Sequence, residues 1–120
     1  MSLLARGLLA LVAALHLYFL ILEMFLWRRP IGRRVFRLTE AQAESTATLA
    51  ANQGLYNGFL AAGLLWAVWA PPQLRVPLAT FFAGCVVVAG VFGAATVSRR
   101  ILIVQALPAA LALAAVWAPQ

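Results

Sequence analysis

Residues 3–27 read LLARGLLALVAALHLYFLILEMFLW, an almost unbroken apolar run. A helix that crosses the roughly 30 Å hydrocarbon core of a bilayer needs about 20 residues, so this run is long enough to span a membrane. Three further apolar stretches follow, at residues 46–69, 76–97 and 101–117. Backbone groups in lipid must be hydrogen-bonded within the chain, so we expect each stretch to be a helix.

The composition of the whole chain agrees with this interpretation. Of its 120 residues, 65% are apolar and 10% are charged, whereas a soluble domain is about half apolar and about a quarter charged. A chain of this size could not cover so much apolar surface in water, which excludes a soluble core, a disordered tail and a disulfide-stapled module. The predicted fold class is all-α, an integral membrane four-helix bundle forming one domain. The predicted helices cover about 3–27, 40–69, 76–97 and 100–117, with a cytoplasmic amphipathic loop at 28–39.

The connection after the first span is the only sizeable polar segment. Ile31, Val35 and Leu38 recur there at helical spacing, which indicates a short amphipathic turn in the headgroup layer. Thr39 and Gln42 form a predicted capping box, so the second helix should begin near Glu40.

The positive charge is arranged about the spans. All nine basic residues are arginine. With four spans, the first and third connections lie on one side, and they hold seven of the arginines against two on the other. The positive-inside rule then places both termini on the non-cytoplasmic side of the membrane. The seven are Arg28, Arg29, Arg33, Arg34, Arg37, Arg99 and Arg100; the two are Arg6 and Arg75.

This distribution also decides which partners to expect. Arginines beside membrane ends orient the protein and contact anionic lipid headgroups, so membrane lipids are expected partners. A nucleic-acid site would need a basic face with exposed aromatics, so no nucleic acid is expected. Cys85 is the single cysteine; it excludes an intrachain disulfide and has no metal-ligand spacing around it. Neither a metal nor a cofactor is expected.

Polar side chains inside the spans carry the functional signal, because an ionisable group there costs roughly 2.5 kcal/mol or more and normally faces a partner or a cavity. His16 and Glu23 are seven residues apart on one helix face, and they are the tentative catalytic residues. Counted along the helix, Glu23 lies roughly 6 Å and His16 about 16 Å below Trp27. The predicted ligand-binding residues are Asn52, Gln53, Tyr56, Asn57, Thr96, Arg99, Arg100 and Gln105.

Together these residues predict a polar pocket that narrows from the cytoplasmic face toward His16, with Arg99 or Arg100 as the partner of Glu23. Three interpretations stay open. The pocket binds or transports a small amphipathic molecule. Alternatively, His16 and Glu23 transfer protons on a lipid-soluble substrate, as in an isomerase. In the third, the polar groups only hold helices together in a structural or accessory subunit.

Small residues and one proline describe the packing. Gly54-x-x-x-Gly58 and Gly90-x-x-x-Ala94 let helix backbones approach closely, either within the chain or in a homodimer. Pro108 removes a hydrogen bond to the carbonyl of Val104, so a kink is predicted beside Gln105.

Three strings also resemble a known family. They are HLY at 16–18 continuing to EMFLW at 23–27, ANQGLYNGFLA at 51–61, and GAATVSRR at 93–100. Over essentially the whole chain the sequence is similar to a family of small bacterial inner-membrane proteins catalogued as domain of unknown function 1304. The resemblance implies a four-helix membrane protein and supplies no substrate or catalytic residue.

Overall fold

The structure is a computed structural model that describes residues 1–119, and over that range it is all-α, without a strand. The chain divides into two compact units, one built from Met1–Ala14 and the chain from Leu60 onward, the other from Leu15–Phe59. Both unit boundaries fall inside helices. The helices are α1 (Leu3–Met24), α2 (Pro30–Phe36), α3 (Glu40–Trp69), α4 (Pro72–Thr96), a π-helical stretch (Leu102–Ala106) and α5 (Leu107–Trp117).

Two of these helices, α1 and α4, are long and apolar enough to cross a membrane. The apolar run Leu102–Trp117 is shorter. Helix α3 has the length, but the polar residues in its middle lower its hydropathy. The finding therefore supports two membrane-capable helices, fewer than the four spans expected from the apolar stretches.

The larger unit is held by small residues and aliphatic side chains. Leu9, Val12, Leu64 and Val86 are fully enclosed in its core, among many buried alanines. Helix α4 packs against α5 and the π-helical stretch, and the indole Nε1 of Trp117 donates a hydrogen bond to Thr80 Oγ1 at 3.0 Å. Alanine and glycine leave room for close backbone approach, as the glycine patterns predict.

The π-helical stretch coincides with the disturbance that Pro108 predicts. Gln105 lies within it, and at its end the N–H of Leu107 donates to the carbonyl of Leu102, five residues back. Pro108 lies just after this stretch, in the first turn of α5, and it has no N–H with which to continue a regular ladder. Wider π turns of this kind are uncommon and are often found at functional positions.

The smaller unit is a helical hairpin with a defined turn. Helix α1 ends at Met24, three residues before the apolar run ends, because the N–H groups of Phe25 and Leu26 both donate to the carbonyl of Ile21. At the start of α3 the capping box is confirmed. The N–H of Thr39 donates to Gln42 Oε1 at 2.9 Å, and the N–H of Gln42 donates to Thr39 Oγ1 at 3.1 Å.

Two glycines of α4 provide a test of this packing. A Cβ at Gly90 would lie 2.6 Å from the backbone nitrogen of Ala106, whereas one at Gly84 would meet nothing within 4 Å. We expect Gly90→Ala to lower the free energy of unfolding by about 1–3 kcal/mol through overpacking. Gly84→Ala should raise it by about 0.5–1 kcal/mol through helix propensity. Thermal unfolding of both variants in detergent measures the two signs, and equal shifts would contradict the close contact.

Candidate functional site

The centre of the candidate site is a hydrogen bond between two buried polar side chains of the smaller unit. Glu23 and Asn57 are 8% and 6% exposed, and Asn57 Nδ2 donates to Glu23 Oε1. Glu23 lies in the last turn of α1, and Asn57 lies in the middle of α3. The pair therefore links the two arms of the hairpin by a hydrogen bond whose acceptor is an ionisable carboxyl group.

Gly54 makes this contact sterically possible. A Cβ added to Gly54 would lie 2.6 Å from Met24 Cγ and 3.1 Å from Glu23 Cβ. Because glycine has no Cβ, the backbone of α3 can approach the end of α1 at this level. Asn57 follows three residues later on the same helix face, within reach of the Glu23 carboxyl group. The sequence pattern predicted close packing here, but it did not connect that packing with the placement of Glu23.

His16 lies two turns earlier on α1 and is 1% exposed. Its ring packs edge-on against Phe19, with the ring centroids 5.6 Å apart and the planes at 74°. An imidazole so enclosed cannot meet a substrate without a rearrangement of its surroundings. Its role as a catalytic base stays a prediction.

The four predicted site residues of α3 divide into one buried and three exposed side chains. Asn57 is buried, whereas Asn52, Gln53 and Tyr56 are exposed. We call these three exposed residues the α3 polar face. They occupy the turns of α3 that lead to Asn57, so the structure groups them with the buried pair within one unit without enclosing them in a pocket.

The remaining predicted site residues belong to the larger unit. Thr96 is exposed, and its Oγ1 donates to the carbonyl of Phe92 at 2.7 Å. Arg99 and Arg100 are exposed, and Gln105 is partly buried in the π-helical stretch. Their convergence on Glu23 stays a prediction. The larger unit also carries an open apolar groove of about 610 Å³ along α4, lined mainly by Phe81, Gly84, Cys85, Val88 and Phe92.

A second contact fixes the level of the site along the hairpin. The indole Nε1 of Trp27 donates to Thr46 Oγ1 at 3.0 Å, and its ring packs on Phe36 with centroids 4.7 Å apart. Asn57 follows Thr46 by eleven residues, about 16 Å of helix. Trp27 and Glu23 therefore contact α3 at levels about 16 Å apart.

The model of a family described as "Protein of unknown function (DUF1304)" matches residues 10–117. The chain belongs to this family. It is 30% identical over 105 residues to an uncharacterised protein, YpaA, of Lactococcus lactis subsp. lactis (strain IL1403), with 86% of this chain and 87% of that protein covered. No solved structure gives a significant match. Membership confirms the resemblance noted from the sequence and assigns no activity.

The Glu23–Asn57 pair predicts a non-additive pattern of stability. Asn57→Leu should lower the free energy of unfolding by about 1–3 kcal/mol, because it leaves a buried carboxyl group without its donor. Adding Glu23→Leu should restore part of that loss, since two apolar partners need no hydrogen bond. Thermal unfolding of the two single variants and the double variant in detergent completes the cycle. Additive effects would show that the two side chains do not interact.

Proposed function

We propose that this protein is a multi-pass protein of the bacterial inner membrane that binds a small amphipathic molecule at the α3 polar face. Its spans are α1, α3, α4 and the run Leu102–Trp117, with both termini on the non-cytoplasmic side. The observation that carries the proposal is the grouping of exposed amide and hydroxyl side chains beside the buried Glu23–Asn57 pair.

The membrane location is supported by the exposure of the apolar helices. Only 33% of the most apolar stretch of α1 and 22% of that of α4 is buried. The core helix of a soluble protein would be mostly buried. Large side chains such as Phe81, Phe92 and Leu111 point outward, and apolar surface on this scale needs lipid or protein to cover it.

The orientation is supported by the tryptophans as well as the arginines. Trp66, Trp69 and Trp117 are exposed near the ends of α3 and α5, which suits an aromatic belt at the outer interface. Trp27 and Thr46 mark the opposite interface. If that level is the cytoplasmic boundary, the Glu23–Asn57 pair lies about 16 Å inside it, close to the middle of a roughly 30 Å core.

At this location the side chains of the α3 polar face need hydrogen-bond partners. Asn52 and Gln53 each bring an amide, and Tyr56 brings a hydroxyl group. Exposed in hydrocarbon, such groups lose their hydrogen bonds to water and need a partner. A ligand with a polar head supplies that partner, and its apolar part can lie along exposed neighbours such as Leu49, Leu55 and Phe59. An amphipathic molecule satisfies both surfaces.

The accessory-subunit interpretation is the second proposal that an observation favours. Glu23 and Asn57 satisfy one another inside the hairpin, which is what a purely cohesive role requires. In that case the α3 polar face contacts another protein or a second copy of this chain. The proton-transfer alternative needs access to His16, which its burial does not provide.

Topology is directly testable because the chain has a single natural cysteine. In a Cys85→Ala background, we expect Ser2→Cys and Pro119→Cys to react with a membrane-impermeant maleimide in intact bacterial cells. Ala41→Cys, an exposed position near the start of α3, should react only after permeabilisation. Labelling of Ala41→Cys in intact cells would reverse or abolish the proposed orientation.

Ligand binding is tested by what purifies with the protein. We expect mass spectrometry of the detergent-purified protein to find a small amphipathic molecule at near-stoichiometric amounts. The Asn52→Leu/Gln53→Leu variant should reduce that amount about tenfold or more, because two hydrogen-bonding side chains at roughly 1 kcal/mol each are lost. Thr48→Ala, an exposed position on the same helix, is the control. Equal amounts in all three proteins, or none in any, would contradict the proposal.

A further inference from the structure

The hairpin connection carries a cluster of arginines whose charge the protein itself does not balance. Five arginines lie between residues 28 and 37, against two glutamates at 40 and 44. Arg28 forms an ion pair with Glu44 at 3.3 Å. Within residues 1–119 this is the only ion pair. The remaining arginines, at 29, 33, 34 and 37, have no carboxylate partner in that range.

Three of these arginines follow one another at intervals of one helical turn. Arg29, Arg33 and Arg37 are spaced i,i+4, the spacing at which like charges on a helix repel. Arg29 is the residue before α2, and it caps the helix with no side-chain hydrogen bond. The Nε atom of Arg33 is buried, and within residues 1–119 it has no hydrogen-bond partner. The repulsion is relieved when an anion lies among the three groups.

The backbone conformation of Arg37 also indicates a functional role for its side chain. Arg37 adopts a left-handed conformation with φ 55° and ψ 49°. Among residues 1–119 it is the only non-glycine residue with a positive φ. Glycine normally ends a helix in this conformation, because it has no Cβ to clash. An arginine at a position that favours glycine keeps its charge at a conformational cost, which is typical of a functional constraint.

The face of α2 next to this arginine row packs against the hairpin. A Cβ at Gly32 would overlap the backbone carbonyl of Leu26, so only glycine permits that approach. Phe36 packs on Trp27, while Ile31 is exposed. Helix α2 is thus packed against the hairpin and also presents arginines and an exposed apolar residue. Such a helix suits the boundary between headgroups and acyl chains.

We propose that Arg29, Arg33 and Arg37 form a binding site for a phosphate group, as presented by an anionic phospholipid headgroup. Guanidinium groups bind phosphate oxygens through paired hydrogen bonds as well as charge. The inference rests on the proposed membrane location, but it does not depend on ligand binding at the α3 polar face.

The test is thermal stabilisation of the full-length protein in detergent by added phosphatidylglycerol, phosphatidylcholine or inorganic phosphate. We expect phosphatidylglycerol to stabilise the wild type at lower concentration than phosphatidylcholine. The Arg33→Gln/Arg37→Gly variant should need roughly 30-fold more phosphatidylglycerol, about 2 kcal/mol for two arginines. Glycine relieves the left-handed strain at position 37, so Arg37→Gly alone should stay folded and show roughly a fivefold loss.

The matched control is Arg99→Gln/Arg100→Gln, which removes the same charge from the other cytoplasmic connection. Each double variant leaves five arginines on the proposed cytoplasmic side against two on the other, so the orientation is preserved. An equal loss in the control, or equal stabilisation by phosphatidylglycerol and phosphatidylcholine, would overturn the site. Stabilisation by inorganic phosphate as well as phosphatidylglycerol assigns the site to phosphate in general, and stabilisation by the lipid alone assigns it to headgroups. Asn52→Leu/Gln53→Leu should keep the lipid response, which separates this site from the proposed ligand site.

Discussion

A buried carboxyl group must have a hydrogen-bond partner, and in this hairpin the requirement is met by a single amide. Glu23 lies in the last turn of an apolar helix and is buried. Asn57 can reach it only because Gly54, one turn earlier, brings the backbone of α3 close to Glu23. The glycine and the asparagine thus act together. Without the glycine, the helices would separate; without the asparagine, the close approach would leave a buried polar group unpaired.

The turn of the hairpin is also fixed by a few side-chain hydrogen bonds. Thr39 and Gln42 satisfy two of the free N–H groups at the start of α3, and the Trp27–Thr46 hydrogen bond fixes how far α3 extends past the end of α1. Because that bond joins the turn to α3, it sets the distance of the Glu23–Asn57 pair from the polar end of the hairpin.

The parts of the structure that the sequence predicted are those that depend on neighbouring residues. The capping box and the irregularity before Pro108 each follow from a local hydrogen-bond requirement, and both are present. The end of α1 was not predictable, since Phe25, Leu26 and Trp27 are as apolar as the helix before them and hydropathy does not record backbone hydrogen bonds. The Asn57–Glu23 hydrogen bond was not predicted either, and the pairing of Glu23 with Arg99 or Arg100 stays a prediction. Charge complementarity favoured Arg99 or Arg100, whereas an amide partner depends on helix register, which composition does not show.

The free-energy cost of the left-handed backbone at Arg37 can be compared with what its charge contributes near an anion. A left-handed conformation costs a residue with a Cβ roughly 1–2 kcal/mol. A basic residue near an anionic membrane surface contributes about 1 kcal/mol, and a charge-assisted hydrogen bond adds a comparable amount. A free arginine at position 37 would therefore be a net loss relative to glycine, whereas one bound to a phosphate oxygen is balanced or favourable. Because the chain has nine arginines and three acidic residues, that oxygen must come from outside the protein. The proposed phosphate site thus accounts for an arginine in this left-handed position, in addition to the orienting role of the arginines as a group.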